Sequence, residues 1–179
     1  MAQQENFETK RCRFEEKIGL HEDITKEDYI NALESANRDR ALYAWFLYKK
    51  LKELYPEVDA QKVFTEAIYE YGVTRAGAEK NLKTASEVLL DQTSKAGMLV
   101  FDQTITELGE ESAEKTMKNC PLVNALRAVG AEDAEIENFC KHIFFAGDDG
   151  QMTAYPGYKI SFPETLSDGD TCRMCIDRI

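Results

Sequence analysis

The sequence predicts an α+β fold in which an N-terminal helical half packs with a small antiparallel sheet and further helices contributed by the C-terminal half. Three observations predict it. Up to about residue 110 the chain is rich in Ala, Leu, Glu and Lys and holds one proline, Pro56. Apolar residues recur there at spacings of three and four, the period of a helix with one buried face. Beyond that point lie the other prolines, four of the five cysteines and two short stretches with strand character, residues 158–162 and 172–177. A length of 179 residues fits one domain with a full core, and 43% apolar content excludes wholesale disorder. We read residues 1–25 as a charged leader and residues 26–179 as a single α+β domain.

The elements follow in order. Thr25 followed by Glu27 and Asp28 reads as a capped helix start. Tyr29, Leu33, Ala36, Arg40, Tyr43, Leu47, Leu51 and Leu54 then form one apolar face, interrupted by Arg40 and ended at Pro56. A helix is expected over residues 59–71, with Val63, Ala67, Ile68 and Tyr71 inward and Gly72 as its stop. Two more are expected over residues 74–90 and 95–108. Residues 114–119 alternate like a half-exposed strand. Pro121 suits a helix start, with Leu122, Val123, Leu126 and Val129 as its stripe and Gly130 as its end. Residues 132–146 read as a further helix. The aromatic stretch from Tyr43 to Tyr48, with Trp45, reads as core packing.

Charge and cysteine usage narrow the function. Thirty-three acids against 22 bases give a net charge of −11, which repels a phosphate backbone and argues against nucleic acid. The charged start argues against a secretory signal, and no apolar run approaches the ~18–20 residues that span a bilayer. Five free thiols suit a reducing compartment, so a cytoplasmic location is expected. The expected partner is a small-molecule substrate, with no nucleic acid and no membrane. A homo-oligomer is left open.

Candidate chemistry lies in the C-terminal half. Cys120 precedes a helix N-terminus, where a thiol can be lowered toward the thiolate. Cys140 lies inside the next helix. Cys172 and Cys175, three apart in a strand, point to opposite faces and make a weak metal pair. His142 diverges from Cys140 by roughly 200° on a helix, so the two are not a nucleophile–base pair. Asp148 and Asp149 in one loop, and Asp168 and Asp170 in another, are acids that can activate water or simply shape turns. No nucleotide-binding loop, HExxH or GxSxG motif is present.

The order of short motifs resembles a known family. Asn37 to Tyr43 and Ala67 to Arg75 resemble the helical half of the L-2-amino-thiazoline-4-carboxylic acid hydrolase-like family. Cys120-Pro121-Leu122-Val123 with Gly130, Phe139-Cys140, Asp149-Gly150 and Gly169 to Cys172 resemble its C-terminal signature. Lys141, His142 and Ile143 depart from it, where a further acid near Cys140 is expected. The resemblance implies a hydrolase that opens a cyclic amidine, 2-aminothiazoline-4-carboxylate or a related small C–N substrate. We assign Cys120 or Cys172 as attacking thiolate, or Asp149 or Asp170 as activator of water, with His142 as proton donor. Arg75 or Arg127 is expected to clamp the substrate carboxylate, and Asp170 to line the binding site. The alternative is a sensor on the same fold that binds a small molecule or a metal without turnover, Cys120, Cys140 and Cys172 being the ligands. No cofactor is implied, and a divalent metal is left open.

Overall fold

A computed structural model describes residues 7–179; the first six residues of the expected leader lie outside it. The leader carries helix α1 (Phe7–Lys17). Helix α2 (Lys26–Leu54) starts as expected: the Thr25 hydroxyl accepts from the Asp28 N–H at 3.1 Å, and the Asp28 carboxylate accepts from the Thr25 N–H at 3.0 Å. This reciprocal capping satisfies two orphan donors and places acid at the positive end of the dipole. Its buried face is not the expected one. Ala41, Trp45 and Tyr48 point inward together with Leu33, Asn37 and Leu51, whereas Tyr43, Leu47 and Leu54 are exposed. Trp45 and Tyr48 are thus core, but Tyr43 at 74% exposure and Phe46 are not.

Helix α3 (Ala60–Ala76) begins at Asp59, as expected, but runs through Gly72 and stops at Gly77, whose φ of 70° suits only glycine. Gly72 is a packing residue, and Val63, Ala67 and Tyr71 face outward. Extended chain separates α3 from helix α4 (Ala85–Asp91), which is capped by Thr84 and Glu87, so the single helix expected over residues 74–90 is not formed. The helix expected over residues 95–108 splits too: α5 (Lys95–Val100) is followed by strand β1 (Gln103–Leu108). Asp102, with φ of 47°, makes the reversal between them.

Strand β2 (Ser112–Met117), helix α6 (Pro121–Ala128), strand β3 (Tyr158–Glu164) and strand β4 (Cys172–Arg178) fall where the sequence places them. The stretch over residues 132–146 is helical and longer than expected. It runs from α7 (Asp133–Asn138) through a π-helical turn (Phe139–Phe144) into α8 (Phe145–Gln151). The four strands form an antiparallel sheet in the order β1-β2-β4-β3. One face is apolar, with Ala113, Met117, Met174 and Ile176 covered by helices. The other carries polar groups such as the Glu114–Arg173 ion pair at 3.1 Å.

Two apolar clusters hold the fold. One lies on the sheet beneath α4; the other joins α2, α3, α6 and the π-turn around Trp45, Tyr48, Phe64 and Phe139, whose rings meet edge to face at 5.1–5.6 Å. Helices α3 and α8 cross at backbone contact. A Cβ on Gly72 would lie 2.1 Å from the Gly147 oxygen, and one on Gly150 would lie 2.2 Å from the Tyr69 oxygen. Among the described residues, no helix is long and apolar enough to cross a membrane.

Candidate active site

Between the two clusters lies a cavity of about 370 Å³, large enough for a small molecule. Its floor is the sheet, with Met117, Met174 and Cys172; its walls come from α2, α3, α6, the π-turn and α8. The π-turn matters locally. Its wider winding, with the Phe145 N–H bonded five residues back to the Cys140 carbonyl, presents both Cys140 and Phe144 to the cavity.

The charged residues lining the cavity are Arg40, Arg75, Lys115 and Asp148: three cations against one acid. Arg75 is braced on two sides. Its guanidinium stands 5.8 Å over the Tyr71 ring, and with the Gln151 amide turned to satisfy both partners, the Gln151 oxygen accepts from Arg75 Nη1 at 3.0 Å. Arg40 donates to the Asn37 side chain at 3.1 Å. Lys115 is 3% exposed and donates to Thr93 Oγ1 at 3.2 Å. Burial pulls its ammonium down to about 8, against the opposing pull of Asp148. Burial pushes the Asp148 carboxyl up to about 6, with Lys115, Arg75 and Arg40 acting to hold it down. At neutral pH the carboxylate predominates, yet it stands close enough to neutrality to exchange a proton.

Three thiols border the same space. Cys120 caps α6, and the N–H groups of Leu122 and Val123 favour its thiolate, but burial outweighs them and the thiol is raised. The lowering expected at the helix N-terminus is therefore not realised. Burial pushes Cys140 and Cys172 up to about 12 each. All three are neutral, weakly nucleophilic thiols at pH 7. Among the described residues, no three His, Cys, Asp or Glu side chains come together as a group that could hold a metal ion, so the three thiols form no such group. Cys175 turns to the outer face, its sulfur 3.7 Å from Glu114.

The remaining candidates lie apart from the cavity lining. Asp149, next to Asp148, is exposed. His142 is exposed on the π-turn, and its carbonyl accepts from the Thr65 hydroxyl at 2.9 Å. Arg127 donates to the Leu166 carbonyl at 2.7 Å and so braces the loop between β3 and β4. Lys141 fastens the same loop through Asp168 at 2.8 Å. Asp170 is exposed on that loop. Neither Arg40 nor Lys115 stands out in the sequence as a functional residue, though each carries a signal. Arg40 interrupts an apolar helix face, and Lys115 falls between Ala113 and Met117 on the inward positions of an alternating strand.

Fold and cavity together define a small α+β protein whose internal cavity is lined by cations. The chain belongs to the L-2-amino-thiazoline-4-carboxylic acid hydrolase family, which it matches over residues 36–176. That span contains every charged residue and every thiol of the cavity. No curated protein sequence matches the chain.

Proposed function

We propose that this protein hydrolyses a small cyclic amidine bearing a carboxylate, of the 2-aminothiazoline-4-carboxylate type, in the cavity between sheet and helices. The observation that carries this reading is Asp148, a lone acid near neutrality among three cations in a cavity of small-molecule size. The cations suit an anionic substrate group and the negative charge that develops on the attacked carbon's substituents. Asp148 takes a proton from water, whose oxygen adds to the amidine carbon. The bond from that carbon to one ring heteroatom then breaks, and both water protons end on ring heteroatoms, Asp148 returning the one it took. Attack by water fits the raised thiols better than attack by Cys120 or Cys172, and Asp148 takes the part first given to Asp149. Arg75, held by Gln151, stabilises charge at the reacting carbon.

Ring opening of 2-aminothiazoline-4-carboxylate by the purified chain tests this. Asp148→Asn is expected to lower kcat by about 10²–10⁴-fold, the usual worth of a general base. Cys120→Ala should cost less than about tenfold, because a neutral thiol contributes packing rather than attack. Full turnover in Asp148→Asn, or complete loss in a folded Cys120→Ala, would overturn this assignment. Binding without any ring opening would favour the sensor.

A further inference from the structure

Two polar groups on the cavity floor lack partners that account for their burial. The Lys115 ammonium meets one hydroxyl, and among the described residues no carboxylate lies within ion-pair distance of it. Gln103 Oε1 is buried and accepts no hydrogen bond. Uncompensated burial of this kind is unfavourable and calls for a ligand or solvent to complete it. Both residues line the cavity. The register places them together: in the β1–β2 pair Lys115 stands opposite Ile105, and Gln103 opposite Met117. Gln103 is thus the diagonal neighbour of Lys115 on the same face, roughly 7–8 Å away backbone to backbone with the Cβ atoms somewhat closer. From that separation the two side chains can converge on one small molecule. One end offers a cation with spare donors, the other a bare acceptor.

A carboxylate joined through one carbon to a nitrogen that bears hydrogen complements such a pair. We propose that Lys115 and Gln103 form a subsite for this α-amino-acid pattern. The carboxylate accepts from Lys115 Nζ, and the N–H that the adjacent ring nitrogen carries when the amidine is protonated donates to Gln103 Oε1. The subsite rests on the hydrolytic reading for the rest of the ligand and specifies how that ligand is oriented. With its carboxylate on the sheet floor, its other end is left to Arg40, Arg75 and Asp148 on the helical walls.

Calorimetric titration of the full chain at pH 7 with 2-amino-2-thiazoline-4-carboxylate and with 2-amino-2-thiazoline, which lacks the carboxylate, tests this. Wild type is expected to prefer the carboxylated ligand by about tenfold or more, the effect of one charge-assisted hydrogen bond. Lys115→Met should erase that preference without lowering the affinity for 2-amino-2-thiazoline, which has no carboxylate to lose the contact. Gln103→Leu should weaken both ligands by a similar factor, about tenfold, and leave the preference intact. Circular dichroism confirms that each variant is folded. A wild type without the preference, a preference that survives Lys115→Met, or a Gln103→Leu variant that binds normally would each overturn the subsite. The two readings fail separately. This binding pattern without ring opening retires the hydrolytic reading and leaves the subsite standing. Ring opening with a KM untouched by Lys115→Met retires the subsite alone.

Discussion

Lys115 sets the terms at the residue scale, because its position is unfavourable for stability. Burial lowers its ammonium from 10.5 to about 8, so the unfolded chain holds more protons than the folded one between those values. Stability therefore rises with pH across that window, and below about pH 8 the full cost of burying the charge is present. That displacement corresponds to roughly 3 kcal/mol at neutral pH. Lys115→Met, which keeps the aliphatic stem and removes the charge, is expected to stabilise the fold at pH 7 by on the order of 2–3 kcal/mol. Urea unfolding at pH 7 and at pH 10 measures this, and the gain should shrink at the higher pH. The same substitution removes the largest of the charges holding Asp148 down. The acidic limb of the rate–pH profile, expected near pH 6 in wild type, should then move upward. A substitution that strengthens the fold while weakening binding marks a group retained for function.

At the element scale the site depends on how closely α3 and α8 approach. Arg75 rides on α3, and Asp148 and Gln151 ride on α8. Gly72→Ala forces a methyl against the Gly147 carbonyl, which is backbone and has no rotamer by which to yield. The helices must separate, at an expected cost of about 3 kcal/mol or more in chemical denaturation. Turnover should fall beyond that loss of folded protein, because Arg75 moves away from Asp148 and Gln151. The crossing also shows what the sequence could carry. Gly72 looks like a helix stop from local chemistry alone, and only the tertiary contact with Gly147 makes it a helix interior. Strand β1 was hidden for a similar reason: residues 95–108 have apolar spacing compatible with a helix, and pairing with β2 decides otherwise. The start of α2, the Pro121 start of α6 and strands β2, β3 and β4 were legible because cap, proline and alternation are local signals. The inward face of α2 was not. Two apolar stripes compete on that helix, and the one that wins contains Asn37, which serves the cavity.

The site was legible in the same partial way. Cys120, Cys140, Cys172 and Arg75 could be picked out as chemistry-bearing residues, and all four line the cavity. Arg40 and Lys115 were visible only as charges interrupting apolar patterns. Whether such an interruption is a solvated exception or a buried cation depends on burial, which no single stretch of sequence encodes.

At the scale of the whole molecule, the net charge of −11 opposes the function the cavity suggests. An anionic ligand approaches through a repulsive outer field, passes the exposed Arg40 and Arg75 on the cavity wall, and meets the buried Lys115 on the floor. Salt screens these two fields unequally. Exposed charges are damped over about 8 Å at physiological ionic strength, whereas buried cations are damped far less. Raising the salt should thus weaken the outer repulsion more than the attraction of Lys115, the reverse of the usual response at a positively lined site. N-carbamoyl-cysteine, a ring-opened compound of net charge −1, is the natural probe. Its inhibition constant is expected to tighten by roughly two- to threefold between 10 and 150 mM salt. Lys115→Met should weaken inhibition at both salt concentrations yet retain the same salt response, because the screened field belongs to exposed charges and not to the sheet floor. If inhibition instead weakens as salt rises, the ligand is held by exposed cations such as Arg40 and Arg75 and not by Lys115 on the buried floor of the sheet.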